Sequence, residues 1–329
     1  MQVVRQDNAQ HRQFLKALLE RYEVIAPVKK DLARFEKLND VEDVYLEKNT
    51  YFPLKEFFFR KREVLFVFKG NELTEPKLNP PERVFYGIRK CDLNAIHHQD
   101  TVFINDANDP YYAKMREKSF LLGYHCNTAP SPYCFCMSLP LVEFFDLMFY
   151  NKGDHFLVEI GSEKGKLLVE KFGQFFEASS RMITQQEKYI PGADRLDKKD
   201  ISKLYDHPDW KQGVDECLSC GACTNLCPTC YCHEVHDETS LKDPKSGERV
   251  RSWSSCQLQE FTKVAGDHVF RKNRDERFKH RIYHQLEYFK EKYGVPLCVG
   301  CGRCISGCPT RIDFVEIINK MKTKTEGVN

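Results

Sequence analysis

Eight cysteines fall into two blocks of identical spacing. Cys217, Cys220, Cys223 and Cys227 form the first, and Cys298, Cys301, Cys304 and Cys308 the second. Each block reads C-x2-C-x2-C-x3-C-P, with Pro228 and Pro309 closing them. Thiolates are soft ligands, and four of them hold a 4Fe-4S cube. Three cysteines two residues apart wrap one loop around three corners. The fourth, ahead of proline, ligates the other cube in two-cluster proteins. The spacing therefore predicts one cluster on Cys217, Cys220, Cys223 and Cys308, and another on Cys298, Cys301, Cys304 and Cys227. Gly221 and Gly302 are expected to keep side chains off the clusters and let backbone N–H groups approach the sulfides. Pro228 and Pro309 fix φ after the crossing cysteine and remove a competing donor. Zinc is the competing reading, but a tetrahedral site is built from two C-x2-C pairs.

The chain holds 15 cysteines in all. Cys91 follows an apolar run ending at Ile88, at the end of a predicted strand, where ligands often sit. Cys126, Cys134 and Cys136 lie in a loop broken by Pro130 and Pro132. Together these four suggest a third 4Fe-4S site, with buried or zinc-binding thiols as the alternative. Cys230, Cys232 and Cys256 remain. They can hold a metal with His233, His236 or His268, or pack beside the clusters as weak S–H donors. The packed reading is the plainer one.

The elements around these cysteines divide the chain. Apolar spacing over 11–22 predicts a helix, and the runs 24–27, 64–68, 84–88 and 119–124 predict strands. Short helices are expected over 93–98 and 109–117. A hairpin is expected over 156–169, its turn at 161–165. This is an α/β pattern over residues 1–190. Residues 191–200 read as a linker, and 201–329 as an α-helical dicluster domain with helices over 278–292 and 314–321. The expected class is α+β. The two cysteine blocks share six of twelve positions at an offset of 81 residues. That separation suggests an α-helical ferredoxin-type domain rather than a compact βαβ one.

Composition narrows the function classes. Of 329 residues, 41% are hydrophobic and 12% aromatic, which argues against disorder. Mean hydropathy is -0.55. No apolar stretch approaches the ~20 residues of a membrane span, and no signal peptide is visible. An odd cysteine count fits a disulfide scaffold poorly, and a cytoplasmic location, where disulfides are rare, fits metal ligation. Lys plus Arg (50) balance Asp plus Glu (48), so net charge does not steer the chain to nucleic acid. No G-x-G-x-x-G occurs, so no flavin or nicotinamide is expected on this chain. Residues 161–167 are one residue short of a phosphate loop and read as a turn. Residues 241–292 carry 13 Lys/Arg against 8 Asp/Glu, with Arg271, Lys272, Arg274, Arg277, Lys279 and Arg281 crowded together. These form either a solvated helix face or a set of cations that offsets reduced clusters or docks an acidic partner.

Several of these segments carry a family likeness. Residues 217–237 (CLSCGACTNLCPTCYCHEVHD), Trp253-Ser-Ser-Cys256, residues 261–268 with Phe270-Arg271, and residues 298–309 resemble the iron–sulfur β subunit of cytosolic sulfhydrogenases, which are NiFe hydrogenases. They are equally similar to the A-type iron–sulfur subunit of anaerobic sulfite reductase. Cys91-Asp92-Leu93-Asn94-Ala95-Ile96, Asp100, Cys126 and Cys134-Phe-Cys136 extend the likeness into the N-terminal half. Asp267 stands where the family pattern has glycine. The resemblance implies an electron-transfer subunit with no catalytic residues of its own. It would relay single electrons from or to a flavin/NAD(P)H-binding subunit, with the catalytic subunit of a hydrogenase or sulfite reductase at the other end. It adds weight to a third cluster at Cys91, Cys126, Cys134 and Cys136. Two rivals remain: direct reduction of a sulfur compound at that N-terminal cluster, and a zinc-stabilised interaction scaffold.

Overall fold

The computed structural model of the chain describes residues 1–322. In chain order, β1 (Val3–Asp7) and α1 (Asn8–Leu19) lead to β2 (Glu23–Lys29) and β3 (Ala33–Lys37). Then come β4 (Arg62–Lys69), β5 (Glu72–Thr74), β6 (Arg83–Ile88), α2 (Lys90–Asp100), α3 (Pro110–Glu117) and β7 (Ser119–Tyr124). The strands β8 (Leu147–Asn151) and β9 (His155–Ile160), α4 (Glu163–Lys171), β10 (Glu177–Ala178) and α5 (Gln185–Lys188) complete the N-terminal half. The rest contains α6 (Trp210–Glu216), α7 (Ala222–Asn225), β11 (His233–Thr239), β12 (Ser246–Trp253), α8 (Arg274–Tyr283), α9 (Phe289–Tyr293), α10 (Arg303–Ser306) and α11 (Phe314–Lys320).

Two compact units result. The first comprises Met1–Leu54, Pro80–Arg195 and Cys298–Gly302. Its sheet has the order β10-β1-β9-β8-β7-β6-β2-β3. The central β2, β6, β7 and β8 run parallel, and the flanking pairs are antiparallel. β6 is buried along nearly its whole length, as a strand covered on both faces requires. The Asp7 side chain caps α1 in a reciprocal pair with Gln10, which fixes where that helix starts. Its Phe14, Leu15 and Leu18 then enter the core beside Val84, Tyr86 and Phe149. α2 begins two residues after β6 and so places Cys91 at the strand's carboxyl end.

The second unit comprises Lys55–Asn79, Leu196–Leu297 and, among the described residues, 303–322. Its antiparallel sheet has the order β11-β12-β4-β5. Beside it α6 packs on α8 and α11. Gly213 makes the first of these contacts possible, since a Cβ there would lie 2.4 Å from the Phe278 ring. Residues 274–293 form one helical run, with a π-helical segment at His284–Tyr288 between α8 and α9.

The structure corrects three expectations. The second half is not all-helical: β11 and β12 form a hairpin. β11 is exposed at every position, so it carries no apolar alternation to read, and cross-strand charges hold it. Arg249 pairs with Asp237 at 2.7 Å, and Arg62 with Glu238 at 2.6 Å. The run 64–68 is a strand, but it joins this second sheet and is only half-buried. The turn expected at 161–165 is the start of α4, capped by Ser162, and the hairpin is β8–β9. The chain passes from the first unit to the second at Arg195–Leu196. Ile190 and Ala193, just before it, are buried.

β4 is tied to β12 by a buried ion pair, Arg251 to Glu63 at 2.5 Å. Removing one partner strands the other charge, so Arg251→Met is expected to cost about 3–5 kcal/mol. Arg251→Met with Glu63→Leu is expected to cost clearly less. Anaerobic denaturation of the three proteins measures the difference.

Candidate functional site

In the first unit, Cys91, Cys126, Cys134 and Cys136 come together. α2 supplies Cys91, the segment after β7 supplies Cys126, and the proline-broken loop supplies the other two. All four are less than a tenth exposed. They line one small cavity together with Asn49, Arg89 and Lys90. The loop is held from several sides. Asn94 Nδ2 donates to the Val142 carbonyl at 3.0 Å, and the Val142 N–H returns a bond to Asn94 Oδ1 at 2.9 Å. Met137 N donates to the Ala193 carbonyl at 2.7 Å, and Phe135 N to the Gly300 carbonyl at 2.8 Å.

Burial and nearby positive charge act in opposite directions on these sulfurs. Burial pushes the Cys126 thiol up, and the nearby Arg89 guanidinium opposes it by charge and hydrogen bond. Burial also pushes Cys136 up, reinforced by Cys126 and Cys134 and opposed by Lys90. Asn49 Nδ2 points at Cys134 Sγ from 3.7 Å. Burial thus holds the Cys126 and Cys136 thiols toward the protonated form, and metal binding would displace those protons. Among the described residues, no group of three or more His, Cys, Asp or Glu is arranged around a single ion. A 4Fe-4S cube asks something different, because each thiolate binds a different iron. Four buried thiols with cationic and amide donors fit that group.

Cys301 and Val299 share the same buried cluster as these four cysteines. Thus the first part of the second motif packs directly on the N-terminal thiols. Gly300 and Gly302 have positive φ, 65° and 71°. A Cβ on Gly300 would lie 2.4 Å from Cys136 N, and one on Gly302 would lie 2.6 Å from the Tyr133 carbonyl oxygen. The cysteine spacing leads to the expectation that Gly302 spares a cluster. The fold adds a second task, sparing the neighbouring backbone.

The second unit holds the first motif, together with Cys304 and Cys308. Gly221, at φ 76°, starts the short helix α7, which packs against α10 of the second motif. Arg274 donates to the Cys217 carbonyl at 3.2 Å, and Arg281 to the Cys223 carbonyl at 3.1 Å. Burial raises the Cys223 thiol to about 11, opposed by Arg281. The basic stretch is therefore not simply a solvated face. Arg277 and Arg281 are buried, and Arg277 binds the Gln257, Arg271 and Lys272 carbonyls.

Cys230, Cys232 and Cys256 also meet. Ser254 N donates to the Cys232 carbonyl at 3.0 Å where the hairpin opens, bringing Cys256 alongside. Cys232 is the main influence that lowers the Cys256 thiol, and Cys232 together with burial pushes Cys230 well up. The proposed histidine partners are engaged elsewhere: His233 Nδ1 meets the Tyr231 carbonyl, and His236 Nε2 meets Glu238. His268 stacks edge-on with Phe270. Asn49, Arg89 and Lys55 are functional candidates that sequence reasoning missed. Each is a single polar residue with no spacing pattern to mark it.

Residues 216–312 match the 4Fe-4S dicluster domain family. The chain is 34% identical to sulfhydrogenase 2 subunit beta of Pyrococcus furiosus, over 94% of this chain and 95% of the relative. It is 26% identical to the F420-dependent formate dehydrogenase subunit beta of Methanocaldococcus jannaschii, over 51% of this chain and 38% of that relative. Among the described residues, no helix is long and apolar enough to cross a membrane.

Gly300→Ala is expected to push the Cys136 backbone aside and cost the anaerobically purified chain about four irons. Iron analysis, with far-ultraviolet circular dichroism to confirm the fold, measures this.

Proposed function

Because the chain belongs to the sulfhydrogenase beta-subunit family, we propose that it is an iron–sulfur electron-transfer subunit with three 4Fe-4S clusters. Cluster one is on Cys217, Cys220, Cys223 and Cys308. Cluster two is on Cys298, Cys301, Cys304 and Cys227. Cluster three is on Cys91, Cys126, Cys134 and Cys136. The observation that carries this reading is the buried group in which Cys301 packs with the four N-terminal cysteines. A ligand of cluster two would then adjoin the ligands of cluster three, as a relay of closely spaced centres needs.

When bound, the clusters supply one-electron redox chemistry. The chain's own residues bind and shield. The cysteine thiolates hold the irons. Arg89, Lys90 and Asn49 face the sulfurs of the N-terminal set and stabilise negative charge there. Burial of all four N-terminal cysteines keeps water and small molecules away, which supports a relay over direct reduction of a sulfur compound.

The proposed partners are a flavin/NAD(P)H-binding subunit together with the catalytic subunit of a hydrogenase or sulfite reductase, in the cytoplasm. The chain itself binds neither flavin nor nicotinamide. Anaerobic purification with bound partners, identified by mass, tests the partners. Iron analysis is expected to give about 12 irons per chain, against about 8 for two clusters. Cys91→Ser is expected to remove one reducible paramagnetic signal and leave the others. A colourless wild-type protein with no such signal overturns the proposal.

A further inference from the structure

The second unit buries two basic side chains beside the first cysteine motif. Lys55 is 4% exposed and Arg281 8%. Lys55 Nζ donates to the Thr224 carbonyl at 3.3 Å and the Cys230 carbonyl at 3.1 Å. It also rests 4.0 Å from the centre of the Trp253 ring. Arg281 donates to the Cys223 carbonyl at 3.1 Å. The anionic groups acting on Lys55 are Cys230, Cys227 and Cys232. Those acting on Arg281 are Cys227, Cys223, Cys230 and Cys304. Among the described residues, neither side chain forms an ion pair with a carboxylate.

A buried charge without a counter-charge is costly. Carbonyl oxygens and an aromatic face offer partial negative charge only. Two basic side chains in one low-dielectric pocket also repel each other when both are charged. The pocket makes sense if the cysteines around it are anionic, as iron-bound thiolates are. The grip is also specific in position. Thr224 and Cys230 stand three residues on either side of Cys227, so Lys55 clamps both arms of the loop that presents this crossing cysteine. Lys55 reaches the pocket from Lys55–Asn79, far from either motif in sequence.

We propose that Lys55 and Arg281 are electrostatic positioning residues that supply the counter-charge for the thiolates at Cys223 and Cys227 and hold up the reduction potential of the iron–sulfur centre there. Adding an electron adds negative charge, and fixed cations nearby favour that reduced form. The proposal rests on the cluster-bearing function given above.

The test is an anaerobic redox titration of the full chain, followed by electron paramagnetic resonance, with iron analysis of each protein. Lys55→Gln and Arg281→Gln are each expected to keep their iron and shift one midpoint potential downward. Lys55→Arg and Arg281→Lys are expected to keep it near the wild-type value. Unmoved midpoints in both neutral variants, with iron retained, overturn the proposal. Where a neutral variant loses iron, its charge-keeping counterpart decides. Iron kept by that counterpart supports a need for charge, whereas iron lost there too means a packing role and overturns the proposal. A wild-type chain with no reducible centre defeats the functional reading itself, before any variant is compared.

Discussion

A thiolate removed from water must be met by positive charge or by hydrogen-bond donors. Much of this structure answers that demand. Cys126 has Arg89 beside it, Cys134 has the Asn49 amide, and Cys136 has Lys90. The first motif has Arg274 and Arg281 bound to the carbonyls of its own cysteines. In each case the side chain that helps comes from an element distant in sequence from the sulfur. The sheets and helices serve to deliver those side chains.

The two sheets do this differently. The parallel centre of the larger sheet places α2, and hence Cys91, at the end of β6. The smaller sheet is built on charge more than on apolar burial. Its outer strand is held by Arg249 with Asp237 and by Arg62 with Glu238 and Glu248. Its inner strands meet through Arg251 and Glu63. The opening of that hairpin places Cys232 and Cys256 side by side.

What the sequence reveals follows from how local each signal is. The C-x2-C-x2-C-x3-C-P blocks are legible because cluster ligation imposes fixed spacing on a short stretch. β7 is visible as an apolar run over 119–124, and α11 as helical spacing near the end. β11 is not visible, because its seven residues are all exposed and its stability comes from partners across the strand. The run 64–68 is recognisable as a strand, but its apolar pattern points to the wrong sheet, since only long-range pairing with β12 decides that. Lys55 is hidden for the same reason. A lone lysine in an aromatic-rich segment signals nothing until the fold sets it above Trp253.

The pairing of β4 with β12 has a consequence for how the protein is made. β4 leaves the ribosome well before its neighbour, roughly 180 residues earlier, or on the order of ten to thirty seconds at common elongation speeds. During that interval its Val64, Phe66 and Phe68 belong to a hairpin with only the three-residue β5 to cover it. Such an open edge invites pairing with other nascent chains. Arg60 and Lys61 ahead of the strand, with Arg62 and Glu63 at its start, place charge beside that apolar stretch and discourage aggregation until synthesis reaches Trp253.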